Sequence, residues 1–202
     1  MNWKKYRRKA RRFIRKYRNY LLLGCVALIL LVFLLIPREE APTGGDYQDF
    51  LDALAMRESS DNYGKVNRYG YMGRYQMGRG ALEDAGFRYE GGGWTPLANS
   101  YGIYSEDDFL QSPAGQDAAV QAFHKKVCDY IRHYELDQYI GSDYCGVTVT
   151  RSGLLAACHL VGVGGMIDGL KSGEHSYDGN HTSAAEYMEL FAGYDISAVW
   201  DA

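Results

Sequence analysis

The length, composition and charge of the chain limit the classes of protein to which it can belong. The chain has 202 residues and a formal net charge of -3, and this charge is unevenly divided. Of its 22 lysines and arginines, 10 lie in residues 1–18, whereas all 25 acidic residues lie in residues 39–202. The part after Arg38 carries 11 basic and 25 acidic residues, a net charge of -14. Such an acidic body lacks the basic surface of a nucleic-acid-binding domain, so we expect no nucleic-acid partner.

An uninterrupted apolar run follows a basic arm at residues 1–19. The run LLLGCVALILLVFLLI, at 21–36, has no charged residue and therefore lacks the polar face of a core helix. It predicts a transmembrane anchor over residues 20–37, near the shortest length that spans a bilayer. Basic residues before the run and acidic residues after it orient the N-terminus to the cytoplasm and the remaining chain to the outside. A cleaved signal peptide is the alternative, but no A-x-A pattern follows the run.

A polar linker is expected at residues 38–45. Residues 46–202, beyond it, are long enough to form one domain with its own hydrophobic core. Apolar residues at three- and four-residue intervals and helix-capping signals predict a mainly α fold. The segments between the helices are rich in Gly and Tyr and leave room for a short hairpin. Four helices are predicted, and they begin near Tyr47, at Ser112-Pro113, at Thr150 or Ser152, and at Ser183. Ser183 forms a capping box with Glu186. We expect the third helix to stop at Gly162.

The cysteines and histidines of the domain show no metal-binding spacing. No C-x-x-C or H-E-x-x-H occurs, so no metal and no cofactor is predicted. Cys128, Cys145 and Cys158 are an odd number of thiols in a compartment where disulfides form. One disulfide with one free thiol is compatible with this count, and the spacing does not choose the pair.

Glu58 is the strongest candidate for chemistry. The apolar stripe of the first predicted helix, continued by one turn, reaches Glu58 near the C-terminal end of that helix. A carboxyl in this place is partly desolvated and lies at the negative end of the helix dipole, and both effects favour its protonated form. Protonation of a glycosidic oxygen requires such an acid. The alternative is that Glu58 is a solvated acid beside a flexible glycine-rich loop.

Four short motifs occur in an order that resembles the lysozyme-like lytic transglycosylases. RESS at 57–60 and GYMGRYQM at 70–77 resemble the E-S and G-x-x-Q signatures of that superfamily. SGLLAACHLVGVGGM at 152–166 is similar to a third block of one branch, and DGNHTSAAEYMELF at 178–191 is similar to its closing block. The resemblance covers about residues 46–195 and implies an α+β, lysozyme-like fold.

The family's activity, which the resemblance implies for this chain, is cleavage of the β-1,4 bond between N-acetylmuramic acid and N-acetylglucosamine in peptidoglycan. One glutamate, here Glu58, protonates the leaving oxygen and then activates the 6-hydroxyl of the muramic acid, which forms a 1,6-anhydro end. The resemblance also implies that Ser59 orients Glu58 or the substrate. It implies that Tyr75 and Gln76 line the cleft, and that Tyr187 positions the carboxyl or an N-acetyl group.

Two positions depart from the commoner pattern of the family. Arg74 and Tyr75 stand between Gly73 and the glutamine of the second motif, where many members have Leu-Met, so the packing role of that pair does not transfer. His159 lies on the helix where many members have Asn near the glycines. The resemblance assigns substrate binding to Gly73 and His159 as well, and a histidine satisfied within the helix stripe is the alternative for His159.

A second carboxylate would change the reaction, because an inverting hydrolase needs a base about 6.5 to 9.5 Å from the acid. Asp61, Glu83 and Asp84 are candidates, but none lies in a motif that we recognise, and we interpret all three as surface acids. A muramidase-type hydrolase and a non-catalytic peptidoglycan-binding or envelope assembly protein therefore remain as alternatives.

The expected partners are peptidoglycan glycan strands and the membrane, through residues 20–37, with envelope or secretion machinery as a further candidate. The expected location is the bacterial cytoplasmic membrane, with a single pass, the N-terminus inside and the domain outside.

We predict that the mature chain keeps its N-terminus and fractionates with membranes. The physical reason is that a basic arm precedes an apolar run that no recognisable cleavage site follows. N-terminal sequencing of the membrane fraction checks this prediction. A mature N-terminus beyond Pro37 would contradict it.

Overall fold

A computed structural model of the protein describes residue 3 and residues 44–202. The transmembrane anchor predicted for residues 20–37 lies outside the described residues. Residues 44–202 all belong to one compact unit, Glu39–Ala202.

The described domain is mainly helical with one small hairpin. In chain order its elements are helices α1 (Tyr47–Ser59), α2 (Arg79–Asp84), α3 (Pro96–Ser100), α4 (Glu106–Leu110) and α5 (Pro113–His133), a 3-10 helix (Leu136–Tyr139), strands β1 (Asp143–Tyr144) and β2 (Val147–Thr148), and helices α6 (Arg151–Ser172), α7 (Ala184–Leu190) and α8 (Ser197–Trp200). β1 and β2 are antiparallel, with Asp143 opposite Thr148 and Tyr144 opposite Val147.

The predicted helix starts are confirmed by the hydrogen bonds of their capping side chains. The Ser112 side chain accepts a backbone N–H at the start of α5. Thr150 does the same for α6, whereas Ser152 lies within that helix and is buried. Ser183 and Glu186 form the capping box of α7. These caps satisfy N–H groups that a helix leaves without partners in its first turn.

The third helix does not stop at Gly162, as the sequence predicts, but resumes and ends at Ser172. Gly162 has non-helical backbone angles, φ 75° and ψ 161°, which a residue without Cβ adopts at little cost. The second part of α6 then buries Met166 and Leu170 against the core. Among the described residues, α6 is long and apolar enough to cross a membrane, but half of its apolar window is buried inside the domain.

Helix α5 crosses the core and contacts α2, α4, α6 and α8. Its buried face carries apolar side chains such as Val120, Phe123 and Val127. Gln116 and His124 are buried on the same face, with 1% and 0% of their surface exposed. Buried polar side chains need hydrogen-bond partners. Most hydrogen-bond partners of Gln116 and His124 lie in the segment after α1 and in α6. These bonds hold both parts of the candidate site against α5.

The three cysteines of the domain, Cys128, Cys145 and Cys158, are free thiols. Cys128 and Cys158 are fully buried, on α5 and α6. Burial raises the pKa of the Cys158 thiol, and it raises that of Cys128 to about 12. Both therefore stay protonated and behave as small apolar core residues.

Candidate active site

Glu58 lies in the last turn of α1 and is half-buried. The helix ends directly after it, because Ser60 adopts left-handed backbone (φ 58°) and its N–H closes the last turn. The Glu58 side chain lines a cavity of about 390 Å³. Its Oε1 accepts a hydrogen bond of 2.7 Å from the hydroxyl of Tyr187, 129 residues further along the chain.

Tyr187 reaches Glu58 from α7, where its ring is buried with 3% exposed surface. Burial, and then the negative charge of Glu58, raise the pKa of Tyr187 well above its ordinary range. Tyr187 therefore keeps its proton and is the donor of this bond. The guanidinium carbon of Arg57 lies 5.6 Å from the centre of the same ring. The contact between Tyr187 and Glu58 is the one that the implied positioning role of Tyr187 requires.

Three segments wall the cavity beside Glu58. They are residues 67–71 in the segment after α1, His159 and its successors in α6, and residues 177–180 before α7. A second cavity of about 540 Å³ shares Tyr69, Gln76 and His159 with the first. Because they share these lining residues, we describe the two adjoining cavities as one groove; each cavity has the size of an ordinary small-ligand site.

The outer wall of the groove joins two distant parts of the chain. Arg68 Nη2 donates a hydrogen bond of 3.2 Å to Asn180 Oδ1. The Tyr69 hydroxyl donates one of 3.2 Å to the Gly179 carbonyl. All four residues are exposed, so water competes for these two bonds.

Gln76 lines both cavities and also braces the segment on which it lies. Its Nε2 donates to the Gly73 carbonyl at 2.9 Å and to the Lys65 carbonyl at 3.3 Å. Its backbone has a positive φ of 46°, which is uncommon for a residue other than glycine. None of the described residues donates to its Oε1. The Gln76 amide therefore braces its own segment through Nε2 and leaves Oε1 as an acceptor that a ligand can use.

Ser59 and Gly73 line neither of the two cavities. The buried Ser59 hydroxyl donates to the Arg74 carbonyl at 2.7 Å and accepts from the Asn62 N–H at 2.9 Å, so it ties the end of α1 to the following segment. Gly73 has a φ of 78°, and a Cβ there would lie 2.1 Å from Gln116 Oε1. Glycine is required at this position by close packing against α5.

Tyr75 lines neither of the two cavities. Its ring is buried with 1% exposed surface, and its hydroxyl donates to Asp117 Oδ1 at 2.9 Å and accepts from Arg74 Nη1 at 2.7 Å. The Arg74 guanidinium also bonds Asp52, at 2.8 Å, and Asp61. An almost fully buried arginine needs such carboxylate partners. The pair between Gly73 and Gln76 therefore belongs to a polar cluster whose carboxylates are partly exposed and which lines neither cavity.

His159 lines both cavities, but both of its ring nitrogens are engaged within the protein. Its Nε2 lies 3.0 Å from the Tyr75 carbonyl and its Nδ1 lies 3.1 Å from Nε2 of His124. Burial lowers the pKa of His159, while the charge of Glu58 acts in the opposite direction. His159 is therefore neutral near neutral pH and offers a substrate only the apolar edge of its ring. The alternative that His159 is satisfied by partners within the protein fits this geometry. A hydrogen bond from its ring to a substrate does not fit it.

Asp178 is a second carboxylate in the cavity, and the sequence reasoning missed it. Its Oδ1 accepts from the N–H groups of Asn180, at 2.9 Å, and Thr182, at 2.7 Å. The Asp-Gly-Asn sequence is a turn signal that could have located this loop, but it gives no information on the direction of the carboxylate.

The three carboxylates that the sequence offered instead lie outside this cavity. Asp61 pairs with Arg74, and Glu83 pairs with Arg79. Asp84 accepts from the Tyr130 hydroxyl and lines only the adjoining cavity. Within residues 44–202, no three or more His, Cys, Asp or Glu side chains cluster in a way that could hold a metal ion.

Comparison of the chain with protein-family models finds no match, and neither the curated proteins nor the solved structures yield one. The functional interpretation therefore rests on the geometry of the chain's own residues.

We predict that Gln76→Ala lowers both the stability of the domain and the activity of the site. The substitution removes two hydrogen bonds that brace the segment, which costs on the order of 1 to 3 kcal/mol of unfolding free energy. Thermal unfolding of the full-length protein in detergent measures the loss. Gln121→Ala, at an exposed position of α5, is the matched control and should leave the melting temperature unchanged. An unchanged melting temperature for Gln76→Ala would contradict the bracing role.

Proposed function

We propose that the domain is a peptidoglycan lytic transglycosylase of lysozyme-like fold that cleaves the bond between N-acetylmuramic acid and N-acetylglucosamine. One observation carries the proposal: residues from all four motif blocks line the cavity beside Glu58. They are Glu58, Gln76, His159 and Asp178, and Tyr187 of the last block donates to the Glu58 carboxyl at 2.7 Å.

The geometry gives the two oxygens of Glu58 different roles. Oε1 accepts a hydrogen bond from the Tyr187 hydroxyl, so Oε2 is the oxygen that delivers the proton when Glu58 acts as the acid. Glu58 gives this proton to the glycosidic oxygen as the bond from C1 of the muramic acid breaks, and the bonding electrons leave with that oxygen. Glu58 is now a carboxylate, and it takes the proton of the 6-hydroxyl while O6 bonds C1. The cycle ends with a 1,6-anhydro sugar and a protonated Glu58.

The surroundings of Asp178 favour this one-carboxylate reaction over inverting hydrolysis. A base that activates water must have a free lone pair directed at that water. Asp178 Oδ1 accepts two backbone N–H groups, and Oδ2 accepts the Asn180 side-chain amide at 3.3 Å. These bonds occupy three of the four lone-pair positions of the carboxylate and hold the loop. We therefore assign Asp178 to the structure of the cavity wall, with the muramidase-type hydrolase as the second candidate.

A non-catalytic envelope assembly protein is the third candidate. The net charge of -14 after Arg38, from 11 basic and 25 acidic residues, gives no attraction to an anionic wall. Binding without catalysis would depend on the groove or on a partner of the envelope or secretion machinery. A hydrogen-bonded carboxyl inside the groove supports catalysis, because it supplies the one group that can act as both proton donor and proton acceptor in the proposed reaction.

We also propose that residues 20–37 anchor the chain in the bacterial cytoplasmic membrane. In this arrangement the basic arm lies inside and the domain lies outside, where it reaches peptidoglycan strands. This proposal rests on the charge asymmetry about the apolar run.

We predict that Glu58→Gln lowers cleavage of purified peptidoglycan by about 10²- to 10⁴-fold, the range for loss of a general acid and base. The amide oxygen can still accept the Tyr187 hydroxyl proton, so the melting temperature should stay close to that of the native protein. Release of soluble fragments, quantified by chromatography, measures the effect. Glu83→Gln, which removes a carboxylate outside the Glu58 cavity, is the control. Substantial activity of folded Glu58→Gln would remove Glu58 from the chemistry.

We predict that Asp178→Asn keeps cleavage within about threefold of the native rate, because Asn Oδ1 can still accept both backbone N–H groups and the reaction needs no second carboxylate. The same chromatographic assay decides the point. A loss comparable with that of Glu58→Gln, in a protein with native melting temperature, would instead favour hydrolysis with Asp178 as base.

A further inference from the structure

A chain of hydrogen bonds runs behind the cavity through three helices. The Tyr47 hydroxyl, on α1, lies 2.9 Å from Nδ1 of His124 on α5. Nε2 of His124 lies 3.1 Å from Nδ1 of His159 on α6. Nε2 of His159 lies 3.0 Å from the carbonyl oxygen of Tyr75. His124 is fully buried and lines neither cavity.

Only one arrangement of protons satisfies this chain when both histidines are neutral. A carbonyl oxygen can only accept, so Nε2 of His159 carries a hydrogen and its Nδ1 is an acceptor. Nε2 of His124 must then donate to His159, which leaves Nδ1 of His124 to accept from the Tyr47 hydroxyl. Burial lowers the pKa of both histidines and raises that of Tyr47, which keeps all three groups neutral.

The end of the chain acts on a strained point of the active-site segment. The Tyr75 carbonyl belongs to the peptide that joins Tyr75 to Gln76, and the next backbone rotation is the positive φ of 46° at Gln76. A residue other than glycine keeps such a backbone only when its surroundings hold it. The bond from His159 to the carbonyl fixes the plane of that peptide. It therefore helps to direct the Gln76 side chain into the cavity that Glu58 also lines.

We propose that His124 is a positioning residue of the active site, which acts through His159 to hold the peptide before Gln76. The kinetic part of this proposal rests on the proposed function, whereas the proton order and the backbone effect do not. His124 sets which nitrogen of His159 carries the hydrogen, because a donor at Nδ1 of His159 leaves Nε2 as the nitrogen that donates to Tyr75. His124 itself does not touch the substrate.

The first test is independent of activity. Nitrogen-15 NMR of the full-length protein in detergent, labelled at histidine, reports which ring nitrogen is protonated. We expect both His124 and His159 to carry their hydrogen on Nε2 at neutral pH. A hydrogen on Nδ1 of either ring would overturn the proposal.

Two substitutions separate the hydrogen bonds of His124 from its volume. Phenylalanine at position 124 fills the ring space without a donor or acceptor, whereas glutamine has an amide that can donate to His159 and accept from Tyr47. The backbone N–H resonance of Gln76 should move in His124→Phe and return toward its native position in His124→Gln. A Gln76 resonance that is native in folded His124→Phe would contradict the positioning role. If His124→Phe does not fold, native-like Gln76 and His159 resonances in His124→Gln support the role, and displaced ones overturn it.

The kinetic readout then connects the chain to catalysis. His124→Phe removes none of the side chains that line the cavity but loosens the peptide before Gln76, so we expect KM within about twofold, and kcat about tenfold lower because orientation is lost. His124→Gln should recover most of kcat. His133→Phe, at an exposed position of the same helix, is the control. Equal kcat for the native protein and His124→Phe, or equal losses in both position-124 variants, would overturn the proposal. Absence of cleavage by the native protein would instead remove the proposed function, and NMR would still decide the positioning role.

Discussion

The need to satisfy two buried polar side chains of α5 determines where the candidate site forms. Gln116 Oε1 accepts the backbone N–H of Arg74 at 2.8 Å, and the absence of a Cβ at Gly73 permits this close approach. Two turns further along α5, His124 bonds His159 of α6. An unpaired buried polar group costs about 1 to 3 kcal/mol, so these contacts hold the segment after α1 against the core. The position of Gln76 beside the cavity follows from them.

The hydrogen bond from Tyr187 to Glu58 adds the closing part of the domain to this arrangement. The end of α1 supplies the carboxyl, and α7, held by its capping box, supplies the donor. In the proposed reaction the polar side chains around Glu58 have complementary roles: Tyr187 orients the acid, Gln76 offers an acceptor, and His159 supports the backbone before Gln76.

The sequence predicted the features that depend on local spacing. Helix starts were predictable because a capping side chain and its backbone partner lie within three residues. The half-buried position of Glu58 was predictable because the apolar stripe of α1 leads to it. The burial of Tyr75 was not predictable, since a motif gives the order of residues but not the direction of each side chain, which here turns to the core. The role of His159 depends on a partner 35 residues away. Asp178 was missed because it lies in a turn, where no periodicity indicates burial.

The most direct test of the central claim is the chemical structure of the fragments that the full-length protein releases from purified peptidoglycan. A reaction in which Glu58 serves as both acid and base, and O6 of the muramic acid attacks its own C1, leaves fragments with 1,6-anhydro ends. These are lighter by one water than the fragments of hydrolysis, so mass spectrometry distinguishes the two. The account predicts anhydro ends in all cleaved products. Reducing muramic acid ends, or no release of fragments at all, would contradict it.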